Sequence, residues 1–470
     1  MRKALIVMAL LFALGLGGTA AVFAQVNGQR DQVVLTEEVL FGDRANAEGL
    51  AVRARADIDG HLHWDTTHII GEPSVTITDF RYTAEAERDW WFEHSGIGFE
   101  YLHNQISRNN WMDAQSADGL SGLDLAYWEL LQETKPGEDK ERVIRIGDYY
   151  DYYPIRISLD IPAHIYGEQG EWLSDREEPE NEIALLEEKM GELFRIPVLP
   201  DETMHISVGK HENGSLGSTG SGSGDGDHFW MEVANVVTDD ACYFILGNRS
   251  ADDKIMDFSR GGGYGVYIIP YLQKEDAPTT VDLDGVGLVY PLAEDSRIVW
   301  FTAEPDQDRL LLLTLEEEAY YLLRVINCAD LSTQQELVLG TPEEKRISGQ
   351  ACREGYLVFR TAQGGLMVLE ERDGLYETAL DITLSAEEEI YGGTGVTLWD
   401  GERLAMVVGP QYEQRHSGEM CCFTAAVYDR TGGLFGARYT SSLDTKNYDY
   451  YHSWSSALVE VDPLELSWTK

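Results

Sequence analysis

The chain has 470 residues and a net charge of −46 at pH 7, and hydrophobic residues make up 43% of it. That hydrophobic fraction is typical of a folded chain and excludes a predominantly disordered one. The acidic excess repels phosphate groups, so it argues against binding to nucleic acid or to an anionic membrane surface. The length accommodates one large all-β domain or two to three domains of ordinary size.

The N-terminal segment, residues 1–24, is the most apolar part of the chain. Arg2 and Lys3 are its only charged residues, and the run from Ala4 to Ala24 has none. About 20 apolar residues are enough to cross the hydrocarbon core of a bilayer. The basic residues favour the cytoplasmic side, which sends the rest of the chain outside. The segment therefore predicts an N-terminal apolar helix, either an uncleaved signal anchor or a signal peptide cleaved after Ala24.

Both fates of the leader predict that residues 25–470 are extracytoplasmic. The protein is then a single-pass protein of the cell membrane with its C-terminal domain outside, or a secreted protein. Contact with the membrane is expected only through residues 4–24. The two basic residues of the leader leave 34 basic and 82 acidic groups in the remainder, a net charge of −48. Such a charge favours a partner with a basic face, unless it serves only to keep the domain soluble.

The cysteines do not form a disulfide framework. There are five, an odd number: Cys242, Cys328, Cys352, Cys421 and Cys422. Five are too few to crosslink a domain of this size, so most are expected to be buried as small apolar residues. A disulfide between Cys328 and Cys352 stays open. No pair has CxxC spacing, so no zinc ribbon or thioredoxin-like site is expected.

The region after the leader has the alternating pattern of β-strands, and it contains three histidines. On a regular strand His61 and His63 face one side and His68 faces the other. The three rings therefore do not converge, and we predict no metal site but a solvent-exposed face that carries His61 and His63. The predicted strands are Val33–Phe41, Leu50–Asp57 and His61–Ile70, with a hairpin turn at Ile58–Gly60.

An aromatic and acidic stretch lies between two short predicted strands, Val143–Ile146 and Ile155–Leu159. Pro154 cannot donate to a strand ladder, so the stretch is an edge, bulge or loop. Tyrosines that are exposed beside carboxylates can stack on a sugar or hold a cation over the ring. We predict ligand binding here, with core packing as the alternative. The candidate residues are Asp148, Tyr149, Tyr150, Asp151, Tyr152 and Tyr153.

One helical pattern interrupts the strands, and a Gly/Ser-rich tract follows it. Pro197 ends the helical pattern. The tract from Gly214 to Asp227 is predicted to be a flexible surface loop. Together they define an insertion at residues 171–230. The apolar residues with helical spacing are Ile183, Leu186, Met190 and Leu193.

No motif indicates a cofactor, and we expect none. The acidic pairs Asp225/Asp227 and Asp282/Asp284 lack the glutamate that closes an EF-hand loop. The glycine run at 261–265 lacks the lysine of a P-loop. No nucleophile elbow or HExxH zinc motif occurs either.

The second half of the chain repeats a plan of four short strands. Three successive groups of four are predicted within residues 297–339, 347–384 and 396–440, separated by turns such as Gln363–Gly365. Four up-and-down strands per ~40–50 residues is the pattern of β-propeller blades. The fold class is therefore all-β: a β-propeller-like domain of repeated four-stranded blades with one helical insertion, behind the N-terminal apolar helix. A stack of sandwich domains is the main rival.

Three short motifs carry a resemblance to a known group of proteins. They are Ala47–Leu50, His63–Thr66 and Asp148–Pro154, and all follow the leader. With the leader, they resemble uncharacterised bacterial exported or single-span membrane-anchored proteins with a propeller-like extracytoplasmic domain. The likeness covers about the first third of the chain. It implies no activity and transfers no functional residue.

Three kinds of function stay open at this point. The first is a non-catalytic, extracytoplasmic protein that binds a protein or glycan ligand, tethered to or secreted across the membrane. The second is a glycan-acting hydrolase, which needs two carboxylates about 5–10 Å apart. With 82 acidic residues the sequence cannot single out such a pair, and no catalytic residue is predicted. The third is a purely structural role in the cell envelope.

Overall fold

The structure of the chain is a computed structural model in which part of the chain can be described. Some predicted features lie outside the described residues, among them His61, Tyr153 and Cys421. The described residues are 12, 14–21, 24, 34–58, 62–83, 96–101, 111, 112, 114–120, 122–152, 155–160, 185, 186, 188–198, 201–223, 230–249, 257–274, 277–390, 395–409, 422–442 and 460–469.

Strands dominate the described part of the chain. The first fourteen are β1 (Leu35–Gly42), β2 (Leu50–Ile58), β3 (Leu62–Ile69), β4 (Val75–Tyr82), β5 (Gly96–Tyr101), β6 (Asp139–Arg145), β7 (Ile155–Asp160), β8 (Thr203–Lys210), β9 (Leu216–Ser223), β10 (Trp230–Val237), β11 (Ala241–Arg249), β12 (Gly265–Lys274), β13 (Ala277–Val281) and β14 (Gly287–Pro291). The others are β15 (Arg297–Ala303), β16 (Arg309–Glu316), β17 (Tyr320–Asn327), β18 (Thr333–Gly340), β19 (Ile347–Arg353), β20 (Tyr356–Thr361), β21 (Gly365–Arg372), β22 (Leu375–Thr383), β23 (Val396–Trp399), β24 (Leu404–Val408), β25 (Cys422–Asp429), β26 (Gly432–Ser441) and β27 (Glu460–Trp468).

The chain divides into two compact units. Unit 1 comprises Met1–Phe92 and Leu339–Lys470, and unit 2 comprises Glu93–Val338. Unit 1 contains the four-stranded sheets β27-β2-β3-β4 and β19-β20-β21-β22, and a five-stranded sheet β1-β26-β25-β24-β23. Unit 2 contains the pair β5-β7, the sheet β6-β8-β9, the sheet β10-β11-β12-β13 with β14 beside β12, and most of the sheet β15-β16-β17-β18.

Repeated antiparallel sheets of this kind confirm the predicted all-β, β-propeller-like class. Each of the three four-strand groups predicted in the second half forms one sheet, β15–β18, β19–β22 and β23–β26. The reason is local: each strand pairs with the next along the chain, and short turns join the strands within a group except between β24, which ends at Val408, and β25, which begins at Cys422.

The two ends of the chain are built into sheets of unit 1. β1 pairs antiparallel with β26, and Leu35 lies opposite Ser441. β27 pairs antiparallel with β2, and Leu50 lies opposite Trp468. Both pairings join segments about 400 residues apart, and an alternating strand pattern carries no information about such distant partners.

Buried apolar side chains fill the space between neighbouring sheets. In unit 1 one core cluster joins residues of β2 and β3 to residues of β24, β25 and β26, including Trp64, Phe423 and Phe435. In unit 2 the largest cluster joins the sheet β6-β8-β9 to β11 and β12, and includes Phe244 and Tyr267. The sheets that contribute to these clusters thus bury a face against a neighbouring sheet, as the repeat pattern predicts.

Two helical regions accompany unit 2, where the sequence predicted one. Residues 185, 186 and 188–193 are helical, with Leu186 and Met190 buried, which confirms that part of the predicted helix. Helix α1 (Leu123–Glu133) was not predicted. Its apolar residues cover one face of the sheet β6-β8-β9 and belong to the core of the unit.

The predicted flexible Gly/Ser loop is wrong for residues 216–223. They form strand β9, which pairs with β8 over seven positions, from Met204–Ser223 to Lys210–Leu216. Pairing uses main-chain groups, so glycine and serine can form a strand when a partner strand offers a complete ladder. The hydroxyl of Tyr127 also donates to the carbonyl oxygen of Gly220 at 3.1 Å. The rest of the tract, residues 224–227, lies outside the described part.

One smaller expectation needs correction, and one open question is answered. His63 is only 1% exposed, so the predicted solvent-exposed face is wrong there. Its Nε2 lies 3.3 Å from the Thr83 hydroxyl, a polar contact that helps to offset the cost of burial. Cys328 and Cys352 do not form the disulfide that the sequence left open.

The N-terminal leader is described only in part. Residues 12, 14–21 and 24 are helical. No helix within these or the other described ranges is both long and apolar enough to cross a membrane.

Candidate functional site

The described residues of the predicted tyrosine stretch, 148–152, lie between β6 and β7. Residues 146–148 form one turn of 3-10 helix. Tyr149 and Tyr150 are half-buried and pack against the core of unit 2. The backbone N–H of Leu123, the first residue of α1, donates to the Tyr150 hydroxyl at 3.0 Å. An unsatisfied donor at the start of the helix is thereby capped by a tyrosine side chain.

The close fit between Tyr150 and helix α1 indicates a structural role for this residue. Gly122 precedes the helix with a φ of +57°, a left-handed conformation that favours glycine. A Cβ atom at this position would lie 1.9 Å from the Tyr150 hydroxyl oxygen. The two residues therefore interlock, and the ring face of Tyr150 is part of a packed interface.

Tyr152 is the most exposed tyrosine of the stretch among the described residues, at 42%. The guanidinium carbon of Arg195 lies 4.8 Å from the centre of its ring, so one ring face already has a cation. Asp148 and Asp151 are exposed, and the Asp151 carbonyl accepts from the Val198 N–H at 3.1 Å. Ligand binding by this stretch remains a prediction.

A group of acidic turns in unit 2 is the more notable surface. We call it the acidic end: the turns 238–240, 304–308 and 328–331, which follow β10, β15 and β17. Its exposed carboxylates are Asp239, Asp240, Asp306, Asp308 and Asp330. One further carboxylate, Glu304, is buried and accepts from Nε of Arg309 at 2.6 Å.

Hydrogen bonds between the three turns fix the acidic end as one surface. The Asp239 N–H donates to the side-chain oxygen of Gln307 at 2.9 Å. The Cys328 N–H donates to the carbonyl oxygen of Asp308 at 2.9 Å. The central turn, 304–308, is thus tied to both of its neighbours, so the backbone segments that carry the carboxylates are held together.

The backbone of the central turn is strained in order to make these contacts. Gln307 has a φ of +60°, a left-handed conformation that costs a non-glycine residue about 1–2 kcal/mol. Its N–H donates to the Glu304 carbonyl oxygen at 2.9 Å, and its side chain reaches Asp239. Glycine would relieve the strain but would lose the bond to Asp239, which gives a physical reason for glutamine here.

The half-buried Cys328 and the buried Tyr243 respond to the negative potential of the acidic end. Burial and the carboxylates of Asp308, Glu304 and Asp306 raise the pKa of the Cys328 thiol to about 11. Burial, Cys328 and Asp240 raise the pKa of Tyr243 to about 12. Both groups therefore stay protonated at neutral pH, and the thiol is a poor nucleophile.

The opposite end of strand β16 has a different arrangement of charge. Glu316 is buried, and its carboxylate accepts from the hydroxyls of Ser296 and Thr314 and from Nη1 of Arg324 at 2.7 Å. Arg324 also donates to the exposed Glu336 at 3.3 Å. Burial raises the pKa of Glu316, but these donors outweigh it and hold that pKa below its ordinary value. We call this group the Glu316 network.

The acidic end was not predicted from the sequence, although the signal was present. Each of its turns contains aspartate, in the runs Thr238–Asp240, Glu304–Asp308 and Cys328–Asp330. Single turns of this kind are ordinary, because aspartate caps its own turn. The surface arises only when the sheets bring the three turns together.

Direct evidence for a metal or for catalysis is not found at this surface. Within the ranges that can be described, no three His, Cys, Asp or Glu side chains are grouped so that they could hold a metal ion. The acidic end offers fixed, exposed negative charge, which attracts cations and basic surfaces over a Debye length.

Comparisons with known proteins add little beyond the class of fold. No protein-family model matches the chain, and no curated protein sequence matches it. Solved structures that are similar include two putative 6-phosphogluconolactonases. The one from Bacteroides fragilis NCTC 9343 is 9% identical over 84% of this chain and 94% of that chain, with a TM-score of 0.29. The one from Bacteroides uniformis ATCC 8492 is 13% identical over 58% and 72%, with a TM-score of 0.26.

An oligogalacturonate lyase in complex with manganese is also similar, at 11% identity and a TM-score of 0.25. That match covers 51% of this chain and 54% of the lyase, so the chain spans about half of it. TM-scores this low carry no argument about activity. The fold class rests on the sheet topology.

Proposed function

We propose that this chain is a non-catalytic binding protein and that its acidic end docks a partner with a basic face. The extracytoplasmic location, by a membrane tether or by secretion, is part of this proposal and rests on the leader. The observation that carries the proposal is the group of five exposed aspartates on three turns that hydrogen bonds hold together.

Fixed carboxylates favour a basic partner for two physical reasons. Like charges held side by side repel one another, and a cationic surface relieves that repulsion on binding. Because the turns are already tied together, little conformational entropy is lost when a partner docks. The net charge of −48 on residues 25–470 adds long-range attraction, which speeds association and which salt screens.

The alternative of a glycan-acting hydrolase remains a prediction from the sequence. It needs two carboxylates at a suitable distance, one of them with a raised pKa. Among the described residues, the carboxyl groups with a resolved pKa shift all have a lowered pKa, as in Glu316, Glu388 and Asp65. That pattern favours charged, hydrogen-bonded carboxylates over a general acid.

The proposal is tested with a short lysine-rich peptide titrated against the full-length protein at low and high salt. The test variant is the double change Asp306→Asn and Asp308→Asn, which keeps the side-chain oxygen that accepts from the Asp308 N–H. We expect about fivefold weaker binding, because each exposed charge contact is worth about 0.5 kcal/mol. Binding to the unaltered protein should also weaken at high salt.

A matched control removes the same charge elsewhere. Glu317→Gln with Glu318→Gln neutralises two exposed carboxylates at the far end of β16, about 25 Å from the acidic end along the strand. This variant should bind the peptide like the unaltered protein. Equal weakening in the two double variants, or binding that ignores salt, would contradict a localised basic partner.

A further inference from the structure

Strand β4 leaves one edge of its sheet in unit 1 open. It lies at the end of the sheet β27-β2-β3-β4, and among the strands that the structure describes it pairs with β3 alone. In an antiparallel pair, alternate residues direct their N–H and C=O groups away from the partner strand. Nothing in the described part of the chain hydrogen-bonds to these outward groups within Val75–Thr78. This stretch of β4 can therefore accept a further strand.

The open stretch of β4 has apolar side chains on its exposed face. Val75 is 46% exposed and Ile77 is 58% exposed. Successive side chains of a strand point to opposite faces, so Thr76 and Thr78 lie on the other face of the sheet. Their hydroxyls are within hydrogen-bond distance of side chains of β3. The edge thus presents two β-branched apolar side chains on one face and two threonines, held by β3, on the other.

Two other edge strands of unit 1 have features that discourage pairing with another chain. Strand β1 has an irregular ladder and carries Glu37 and Glu38. Strand β22 also has an irregular ladder, and it carries Glu377 and Asp381. The ladder between β3 and β4 has no irregularity, and Val75–Thr78 contains no charged residue. A regular, uncharged and partly apolar edge is the kind that pairs with another strand.

The sequence of the open edge is complementary to itself in an antiparallel pair. With Thr76 on a two-fold axis, Val75 lies opposite Ile77 of the second copy, and Ser74 lies opposite Thr78 of the second copy. The exposed face then has two pairs of β-branched apolar residues, and the other face has pairs of hydroxyl residues. Cross-strand pairs of both kinds stabilise a sheet. A two-fold axis is also the commonest symmetry of homo-oligomers.

The charge around this edge is balanced, although the chain as a whole is strongly acidic. Strands β2, β3 and β4 contain three arginines and three aspartates, in a chain with a net charge of −46. Each arginine has a nitrogen near the Asp65 carboxylate: Arg55 at 2.7 Å, Arg81 at 3.7 Å and Arg53 at 3.9 Å. Local charge therefore opposes the approach of a second copy less here than at the acidic turns.

We propose that two copies of the chain associate through β4, with Ser74–Thr78 of each copy paired antiparallel so that the two sheets become one. The ladder ends where Pro73 meets Asp79 of the second copy, because proline has no N–H to donate. A ladder this short is small beside the about 1,200 Å² of a stable interface, so the dimer is weak and reversible. Repulsion between the acidic chains opposes it at long range, and salt screens that repulsion. The acidic end takes no part in this pairing.

Hydrogen exchange of the full-length protein, followed by mass spectrometry at low and high protein concentration, tests the pairing. Amides of Val75–Thr78 should gain about threefold in protection at high concentration, while amides of the edge strand β22 should not change. Added salt should increase the gain, whereas it should weaken the binding of a basic peptide to the acidic end. Protection of β4 that does not depend on concentration, or a gain that falls with salt, would overturn the proposal.

Substitution of Ile77 shows whether the gain in protection comes from pairing at this edge. Ile77→Lys brings two ammonium groups close together across the two-fold axis, so the gain should disappear, whereas Ile77→Val keeps a β-branched apolar side chain and should retain it. The matched control is Leu375→Lys, which adds the same charge at a residue that is 47% exposed on β22, and it should retain the gain. Protection of the interior strand β3 verifies that each variant is folded. A gain that survives in Ile77→Lys, or that disappears in Leu375→Lys, would refute pairing through β4.

Discussion

The two ends of strand β16 show two uses of the same acidic side chains. At its far end, Glu316 is buried and all of its neighbours are donors: Ser296, Thr314 and Arg324. At its start, the turn 304–308 carries exposed aspartates, and the paired carboxylate there is the buried Glu304. The charge of Glu316 is compensated by donors inside the protein, whereas the aspartates of the turn 304–308 are exposed to solvent.

The difference indicates which charges maintain the fold and which are available for a partner. A buried carboxylate must be compensated, because an isolated charge in the interior costs several kcal/mol. An exposed carboxylate contributes little to stability, and water compensates it. In this chain the buried carboxylates that accept hydrogen bonds from side chains are therefore expected to control stability, and the exposed carboxylates of the acidic end are expected to control binding.

The largest predicted effect is on the Glu316 network. Glu316→Ala leaves Arg324, whose side chain is 13% exposed, without its main partner and should lower the free energy of unfolding by about 3–5 kcal/mol. Denaturant unfolding measures this change. The control is Glu336→Ala, which removes the exposed partner of the same arginine and should cost less than about 1 kcal/mol. Equal losses of stability in the two variants would contradict the claim that the buried carboxylate stabilises the fold more than the exposed one.

A second prediction separates the packed tyrosine from the exposed one. Tyr150→Ala removes a half-buried ring and the acceptor for the Leu123 N–H, and we expect a loss of about 3 kcal/mol in stability. Tyr152→Ala should cost less than about 1 kcal/mol, since it removes an exposed ring and one cation contact. If Tyr150→Ala has the same free energy of unfolding as the unaltered protein, the contact between Tyr150 and Gly122 does not stabilise the fold.

The third prediction concerns pH. The donors around Glu316 hold its pKa below the ordinary 4.5, so its contribution to stability is present above that value and is lost as the pH falls below it. The glutamine in Glu316→Gln cannot titrate, so the free energy of unfolding of this variant should decrease less as the pH is lowered than that of the unaltered protein. Glu336→Gln is the control and should lose stability at low pH like the unaltered protein. If Glu316→Gln loses stability at low pH as much as the unaltered protein does, the charged form of Glu316 does not stabilise the fold.

The smallest predicted effect on stability is at the acidic end. Asp306→Asn with Asp308→Asn should change the free energy of unfolding by less than about 0.5 kcal/mol, with a slight gain from reduced repulsion. Glu317→Gln with Glu318→Gln is again the matched control. Thermal unfolding of the two variants and the unaltered protein gives the comparison. If the free energy of unfolding of Asp306→Asn with Asp308→Asn fell by several kcal/mol, the charges of the acidic end would be needed for stability.

Much of the fold was predictable from the sequence, because sheets of sequential strands depend on local signals. Tyr356–Thr361 and Val396–Trp399 begin and end where the strand pattern predicts. Helix α1 was missed, although Leu123, Ala126, Tyr127 and Leu130 have helical spacing and are buried. The pairing of β1 with β26 was not predictable, since alternation does not specify a partner 400 residues away.

The functional surfaces were harder to predict because they arise from tertiary contacts. Tyr150 was a candidate ligand residue by composition, but its hydroxyl caps a helix that the pattern had not revealed. Asp239, Asp306 and Asp330 are each ordinary turn residues, and only hydrogen bonds between the turns make them neighbours. A sequence shows which side chains carry charge, but the fold decides which of those charges are compensated.

Cys328 provides the most direct test of the claim that the acidic end presents exposed negative charge to a basic partner. Its alkylation by neutral iodoacetamide is followed at fixed pH by mass spectrometry of the peptide that contains it. Because nearby carboxylates help to raise the pKa of the thiol to about 11, the rate follows the local potential. We predict a several-fold faster reaction in Asp306→Asn with Asp308→Asn and, for the unaltered protein, on addition of the lysine-rich peptide. No change should occur in Glu317→Gln with Glu318→Gln. A rate that neither the aspartate substitutions nor the basic peptide alters would contradict the account.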